Sequence, residues 1–178
     1  MTGTLNYPRN AGWRQGDRNN AKEFEAEVGT WLGNYKIENL NATDRMDYWV
    51  PGLYVEVKEK RQPLSGRWPL PAGCAAEDAF ILDELSYRRA LEKFPHAWFV
   101  LRDVPLERTF IASISELACA DRVRVNRVGG TGVAKGKHVY NLLQFRQLTD
   151  PGEFLGIAFA SAVTMPWKQS ACLIETSL

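Results

Sequence analysis

The sequence lacks any long apolar run. Nothing in its 178 residues approaches the roughly 18 consecutive apolar residues that a membrane span needs, so no membrane partner is expected. Residues 1–20, MTGTLNYPRNAGWRQGDRNN, contain no apolar signal core, which points to a cytoplasmic protein. Cysteine is scarce. Cys74, Cys119 and Cys172 lie far apart, an odd, scattered set that fits reduced thiols better than a disulfide framework. No CxxC or Cys/His spacing occurs, so a structural zinc site is not expected. Histidine is scarcer still: His96 and His138 have no partner in the sequence pattern, so neither is expected as a ligand or base. Excess charge of one sign is also missing, since the formal net charge is only +1.

What is present describes a folded domain rich in aromatics. Hydrophobic residues make up 45% and charged residues 24%, with 6 Trp, 6 Tyr and 8 Phe. That is an ordinary globular composition on a chain long enough for one domain with a real core. The near-neutral total hides two basic segments. Arg9, Arg14, Arg18 and Lys22 face Asp17 alone in residues 1–22, and Arg122, Arg124, Arg127, Lys135, Lys137 and Arg146 meet no acid in residues 122–149. Acids gather elsewhere, notably at Glu77, Asp78, Asp83 and Glu84. Segregated basic runs are compatible with binding a polyanion.

Hydrophobic periodicity orders the chain. Residues 1–19 show no period and are expected to form a flexible basic segment, with a single domain over 20–178. Phe24, Val28, Trp31 and Leu32 give a helical stripe from about Asn20 to Leu32, capped by Asn19 or Asn20 and stopped by Gly33-Asn34. Strands are expected over Tyr35–Leu40, Met46–Val50 and Leu53–Glu59, with Pro51-Gly52 as the turn between the last two. Residues 61–75 read as a loop and Ala76–Phe94 as a long helix ended by Pro95. Strands follow at Ala97–Leu101 and Arg108–Ala112, then a short helix at Ser115–Cys119. A strand at Arg122–Val128, a glycine-rich loop to Gly136 and a strand at His138–Phe145 come next, and a helix from Asp150-Pro151 to about Val163 closes the pattern. The fold class expected is α/β (α+β), a mixed central sheet flanked by helices.

The stretch DYWVPGLYVEVKEK, from Asp47 to Lys60, places charge inside an apolar hairpin. Side chains alternate along a strand, so Leu53, Val55 and Val57 share one face while Tyr54, Glu56 and Lys58 share the other. Glu56 and Lys58 then stand about 6–7 Å apart along the strand. A tight turn brings Asp47 back toward Glu56. Two close carboxylates repel, and one takes up a proton unless a cation lies between them. Oxygen ligands of this kind suit Mg²⁺ or Mn²⁺, and such a site stabilises charge building on a phosphate. Lys58 is placed to orient or deprotonate an attacking water, or to neutralise that charge.

Asp47 followed by Glu56-Val57-Lys58 resembles the PD-(D/E)xK nuclease signature, and EFEAEVGTWL (Glu23 to Leu32) resembles the first helix of archaeal-type Holliday-junction resolvases within that superfamily. The likeness covers about residues 20–102; beyond them only the element order is shared. Met46, not proline, precedes Asp47, and Pro51 follows its strand. The resemblance implies a restriction-endonuclease-like core and a Mg²⁺-dependent (or Mn²⁺-dependent) DNA endonuclease. It implies a homodimer acting on branched DNA. Metal ligands would come from Asp47, Glu56, the Val57 carbonyl and a helix glutamate. A restriction-like or repair endonuclease on the same core is the alternative, as is a DNA-binding module without catalysis.

Geometry chooses among the helix acids. At about 100° per residue, Glu25 lies about 60–70° from the centre of the apolar stripe, closer than Glu27 or Glu23. An acid on the border of a buried stripe reaches a cleft, so Glu25 is the expected fourth catalytic residue. DNA contacts are expected from Arg14, Arg18, Lys22, Arg88, Arg124, Arg127, Lys135 and Lys137. For Arg88 an ion pair with Glu84, one turn earlier, competes. VGGTGVAKGK fails the spacing of a nucleotide-binding phosphate loop, and no nucleotide cofactor is expected.

Overall fold

The structure is a computed structural model that describes residues 11–33, 37–38, 46–50, 52–64, 66, 68–128 and 134–163; of 11–18, 37–38, 128, 134 and 161–163 only the backbone is described. The first elements are α1 (Ala11–Trp31), β1 (Ile37–Glu38), β2 (Tyr48–Val50) and β3 (Leu53–Lys60). Then come β4 (Ala79–Asp83), α2 (Glu84–Leu91), β5 (Ala97–Asp103), β6 (Arg108–Ser113) and α3 (Ile114–Cys119). The last are β7 (Arg122–Val128), β8 (Ala134–Asn141), β9 (Arg146–Leu148) and α4 (Glu153–Val163). Among the described residues no helix is long and apolar enough to cross a membrane.

Two sheets form, and the fold is mixed α+β. The larger has 6 strands in the order β1-β2-β3-β5-β6-β9, and the smaller has 3 in the order β4-β8-β7. Among the described residues only the β3–β5 pairing is parallel, which makes the larger sheet mixed. Its two faces bury separate cores. Leu53, Val55, Val57, Trp98 and Val100 pack on Phe24, Val28 and Leu32 of α1 and on Phe154 and Ala158 of α4. Phe99, Leu101 and Phe110 pack on Tyr87 and Ala90 of α2, Ile114 and Leu117 of α3, and Phe80, Leu82 and Tyr140 of the small sheet. The period-2 alternation of β3, β5 and β6 therefore feeds two cores, not one core and solvent.

Three expectations change. The helix expected from Asn20 begins at Ala11, so residues 11–19 are helical and residues 1–10 lie outside the described residues. Residues Ala76–Phe94 are not one helix: Ala79–Asp83 is a strand and only Glu84–Leu91 is helical. The cause is non-local. Phe80 pairs with Tyr140 and Leu82 with His138, and a distant strand is invisible to local periodicity. Asp83 stands at the N-cap of α2 in an extended conformation without capping through its side chain, which instead meets Lys137. The strand expected over His138–Phe145 starts at Ala134 and stops at Asn141, whose side chain accepts from the Leu143 N–H at 3.0 Å and starts a short 3-10 turn. β9 was not expected at all. Much of the Tyr35–Leu40 segment and of the glycine-rich loop lies outside the described residues.

Candidate active site

β2 and β3 position the hairpin acids through register. Tyr48 pairs with Val55, Trp49 with Tyr54 and Val50 with Leu53. Continuing that ladder by one step sets Asp47 opposite Glu56. The paired register ends at Tyr48, and Asp47 Oδ2 accepts the Val57 N–H at 2.6 Å, which extends the contact between the strands with a side chain. The Tyr54 N–H points the other way, to the His96 carbonyl at 2.9 Å on the β5 side. Alternate residues of a strand turn their N–H and C=O to the same edge. The Val57 carbonyl therefore faces the Asp47 edge, as expected of a backbone ligand.

Glu56 is only 3% exposed, and its Oε1 lies 2.5 Å from Lys58 Nζ. Its Oε2 is buried without a hydrogen-bond partner. Burial first, and then the Asp47 carboxylate, push the Glu56 carboxyl up from 4.5 to about 7, while Lys58 and the Ser86 hydroxyl pull it down. Burial also raises Asp47 against the opposing pull of Lys58 and the Val57 N–H. At Lys58 burial disfavours the ammonium, but Glu56, Asp47 and Glu25 outweigh it and hold the group above the usual lysine value.

The helix acid lies where its periodicity indicated. Glu25 is half-buried, whereas Glu23 and Glu27 are exposed. Burial and then the Asp47 charge raise its pKa, and Lys58 and Lys22 oppose them. Its backbone is tied to the hairpin, because the buried Tyr48 hydroxyl donates to the Glu25 carbonyl at 2.6 Å. Glu27 instead pairs with Arg102 at 2.6 Å. Glu25, Asp47, Glu56 and Lys58 thus share one electrostatic neighbourhood. Among the described residues no group of three or more His, Cys, Asp and Glu side chains stands as a metal-holding cluster. The Asp47–Glu56 pair fits a smaller demand. Mg²⁺ keeps several waters and needs only one or two carboxylates, and the unpartnered Glu56 Oε2 is an oxygen donor of the right hardness.

The basic residues are not brought together at these acids. Arg88 and Arg124 both grip Glu84, at 2.6 and 2.8 Å, and Lys137 is paired with Asp83. Gly136 makes room for this, since a Cβ there would meet Glu84 Oε2 at 1.7 Å. The acids of the β4–α2 junction therefore neutralise the basic strands that the sequence shows as acid-free. Arg127 lies 6.0 Å from the Trp68 ring centre. Lys22 and Lys135 are exposed, and the side chains of Arg14 and Arg18 lie outside the described residues. His138 is a buried core residue, edge-on to Tyr87 at 5.0 Å, with its pKa lowered by burial and then by Arg122.

Sequence reasoning missed Tyr48, Ser86 and a buried ionic set at the far end of β3. Lys60 was signalled, since it continues the Glu56, Lys58 alternation; its partner Asp103 was not. No protein-family model matches the chain, and no curated protein and no solved structure matches it either.

Proposed function

We propose that the protein is a divalent-metal-dependent endodeoxyribonuclease with a restriction-endonuclease-like, PD-(D/E)xK-type core, working on DNA in the cytoplasm. One observation carries this: the Asp47 carboxylate sits on the Val57 N–H beside Glu56, with Lys58 2.5 Å from Glu56 and one Glu56 oxygen buried without a partner. Asp47, Glu56 and the Val57 carbonyl would hold Mg²⁺ or Mn²⁺, with Glu25 completing the negative field. The ion, when bound, supplies positive charge to a phosphodiester. Lys58 Nζ would donate a hydrogen bond to the attacking water and offset charge on the phosphate as water adds to phosphorus and gives its proton to solvent, while the P–O bond to the leaving oxygen breaks and that oxygen takes a proton from solvent. The subtype the sequence resembles acts as a homodimer on branched DNA, which gives paired cuts on opposite strands.

A non-catalytic DNA-binding module is the second reading. It is favoured by the lack, among the described residues, of a cluster of three metal-ligating side chains. One experiment separates the two. Labelled four-way junction, flap, duplex and single-stranded DNA are incubated with Mg²⁺, Mn²⁺, Ca²⁺ or chelator. Cleavage by the native chain with Mg²⁺ is expected, together with a loss of roughly 100-fold or more in Lys58→Ala, the usual scale for removing one transition-state donor. Glu25→Ala should also lose cleavage and Glu23→Ala should not. Lys58→Ala cutting at the native rate would sink the assignment. Binding without cutting under every metal would favour the module.

A further inference from the structure

The sheet face that carries Glu56 also carries a pair of aromatic rings. Trp49 and Tyr54 stand opposite each other in the β2–β3 ladder. The Val57 N–H turns toward the Asp47 edge and the Tyr54 N–H toward the β5 edge. Trp49–Tyr54 is therefore a non-hydrogen-bonded pair, the kind whose side chains approach most closely. Glu56 is the next residue of β3 on that face, about 6–7 Å along the strand. The Asp47 carboxylate lies at the neighbouring strand edge, on the Val57 N–H.

Both rings are half-buried. Tyr54 leans on the core beneath α2, whereas among the described residues Trp49 belongs to none of the buried apolar clusters. Cations flank the pair. The Lys93 ammonium lies 5.0 Å from the Tyr54 ring centre, and Lys58 follows beyond Glu56 on the same face. Flat rings between ammonium groups match a strand that alternates bases and phosphates. Inside a duplex both faces of a base are covered by its neighbours, so only an unpaired or splayed base can lie on a protein ring.

We infer that Trp49, supported by Tyr54, is a stacking platform for one unpaired base next to the phosphate that a metal ion on Asp47 and Glu56 would hold. This rests on the nuclease reading and gives it a substrate preference: strands with an unpaired base beside the cut. A cross-strand aromatic pair also stabilises a hairpin, so the test separates stacking from packing.

The full chain is titrated in chelator, where nothing is cut, against a single strand, a flapped duplex and a blunt duplex. Trp49→Leu keeps an apolar side chain and removes the ring; Trp49→Phe keeps a ring. Trp49→Leu should bind single strand and flap about 10-fold more weakly or worse, the worth of one stacked base. It should bind blunt duplex within about 2-fold, and Trp49→Phe should stay near the native affinity. 2-Aminopurine beside the mapped cut should be quenched by the native chain and not by Trp49→Leu. That native-chain signal, with Tyr54→Leu as a second variant, decides the matter even if a Trp49 variant fails to fold. Equal losses on all three substrates, or no quenching by the native chain, would overturn the platform while cleavage leaves the nuclease standing. A native chain that neither binds nor cuts any of these DNAs overturns both.

Discussion

Two charged groups follow one another along the same face of β3, and they are built differently. At the far end Lys60 Nζ lies 2.9 Å from Asp103 Oδ1 and donates to the Glu77 carbonyl at 2.6 Å. Arg108 reaches Asp103 at 2.6 Å and Asp78 at 2.8 Å. Two cations meet two carboxylates, and Asp103 is fully buried. Before it along the strand, Asp47, Glu56 and Glu25 are set against Lys58, with the exposed Lys22 acting on Glu25, and all three acids have raised pKa values. A matched buried set fastens pieces of the fold. Here it ties β3, β5 and β6 to the chain entering β4, and so joins the two sheets. A set in which carboxylates outnumber the buried cation is suited to accept further positive charge. The same residue types on one strand thus separate into fastener and site by charge balance.

The largest expected effect comes from breaking the matched end. Asp103→Ala leaves Lys60 and Arg108 without their shared carboxylate in the interior, and should cost about 3–5 kcal/mol in urea unfolding. Glu56→Gln should cost nothing comparable, because it removes a charge that the fold already disfavours. Equal losses in the two variants would erase the contrast.

A smaller effect sharpens it. The Glu56 carboxyl is raised in the folded chain from 4.5 to about 7. Its contribution to stability is fully present below pH 4.5 and is lost as pH rises through about 7. The slope approaches about 1.4 kcal/mol per pH unit at most. Melting of the metal-free chain between pH 4.5 and 7 should show this slope, and Glu56→Gln should flatten it and exceed native stability at pH 8. Added Mn²⁺ should raise the native Tm at pH 8 and leave that of Glu56→Gln unchanged. A Glu56→Gln profile parallel to the native one would mean that other groups set the slope.

The smallest effect concerns how the helix acid is held. Tyr48→Phe removes the hydroxyl that ties the Glu25 carbonyl to β2, and should cost about 1 kcal/mol of stability. If that tie aligns Glu25 with Asp47, the Mg²⁺ concentration needed for half-maximal cleavage should rise while the rate at saturating metal changes little. An unchanged metal requirement would leave Tyr48 a core residue only.

Much of the site was legible because its signals are local. The alternation of Leu53 to Lys58, the Pro-Gly turn and the stripe of Phe24, Val28 and Leu32 depend on strand and helix periods alone. They placed Glu56 beside Lys58, Asp47 across the hairpin, and Glu25 at the border of a buried face. The charge balance of the basic segments was not legible, for the opposite reason. Arg124 and Lys137 look unopposed along the chain, yet Glu84 and Asp83 reach them once β4 pairs with β8.

By itself the sequence determined which side chains share a strand face and which acid lies at a helix border, since those follow from 3.6- and 2-residue periods in one segment. Only the tertiary structure decided that residues 79–83 are a strand, that Lys60 and Arg108 converge on Asp103, and that Glu56 is buried with one oxygen unpartnered. Pairing between distant segments sets those outcomes. The burial it creates turns an ordinary glutamate into one that gives up its proton near pH 7.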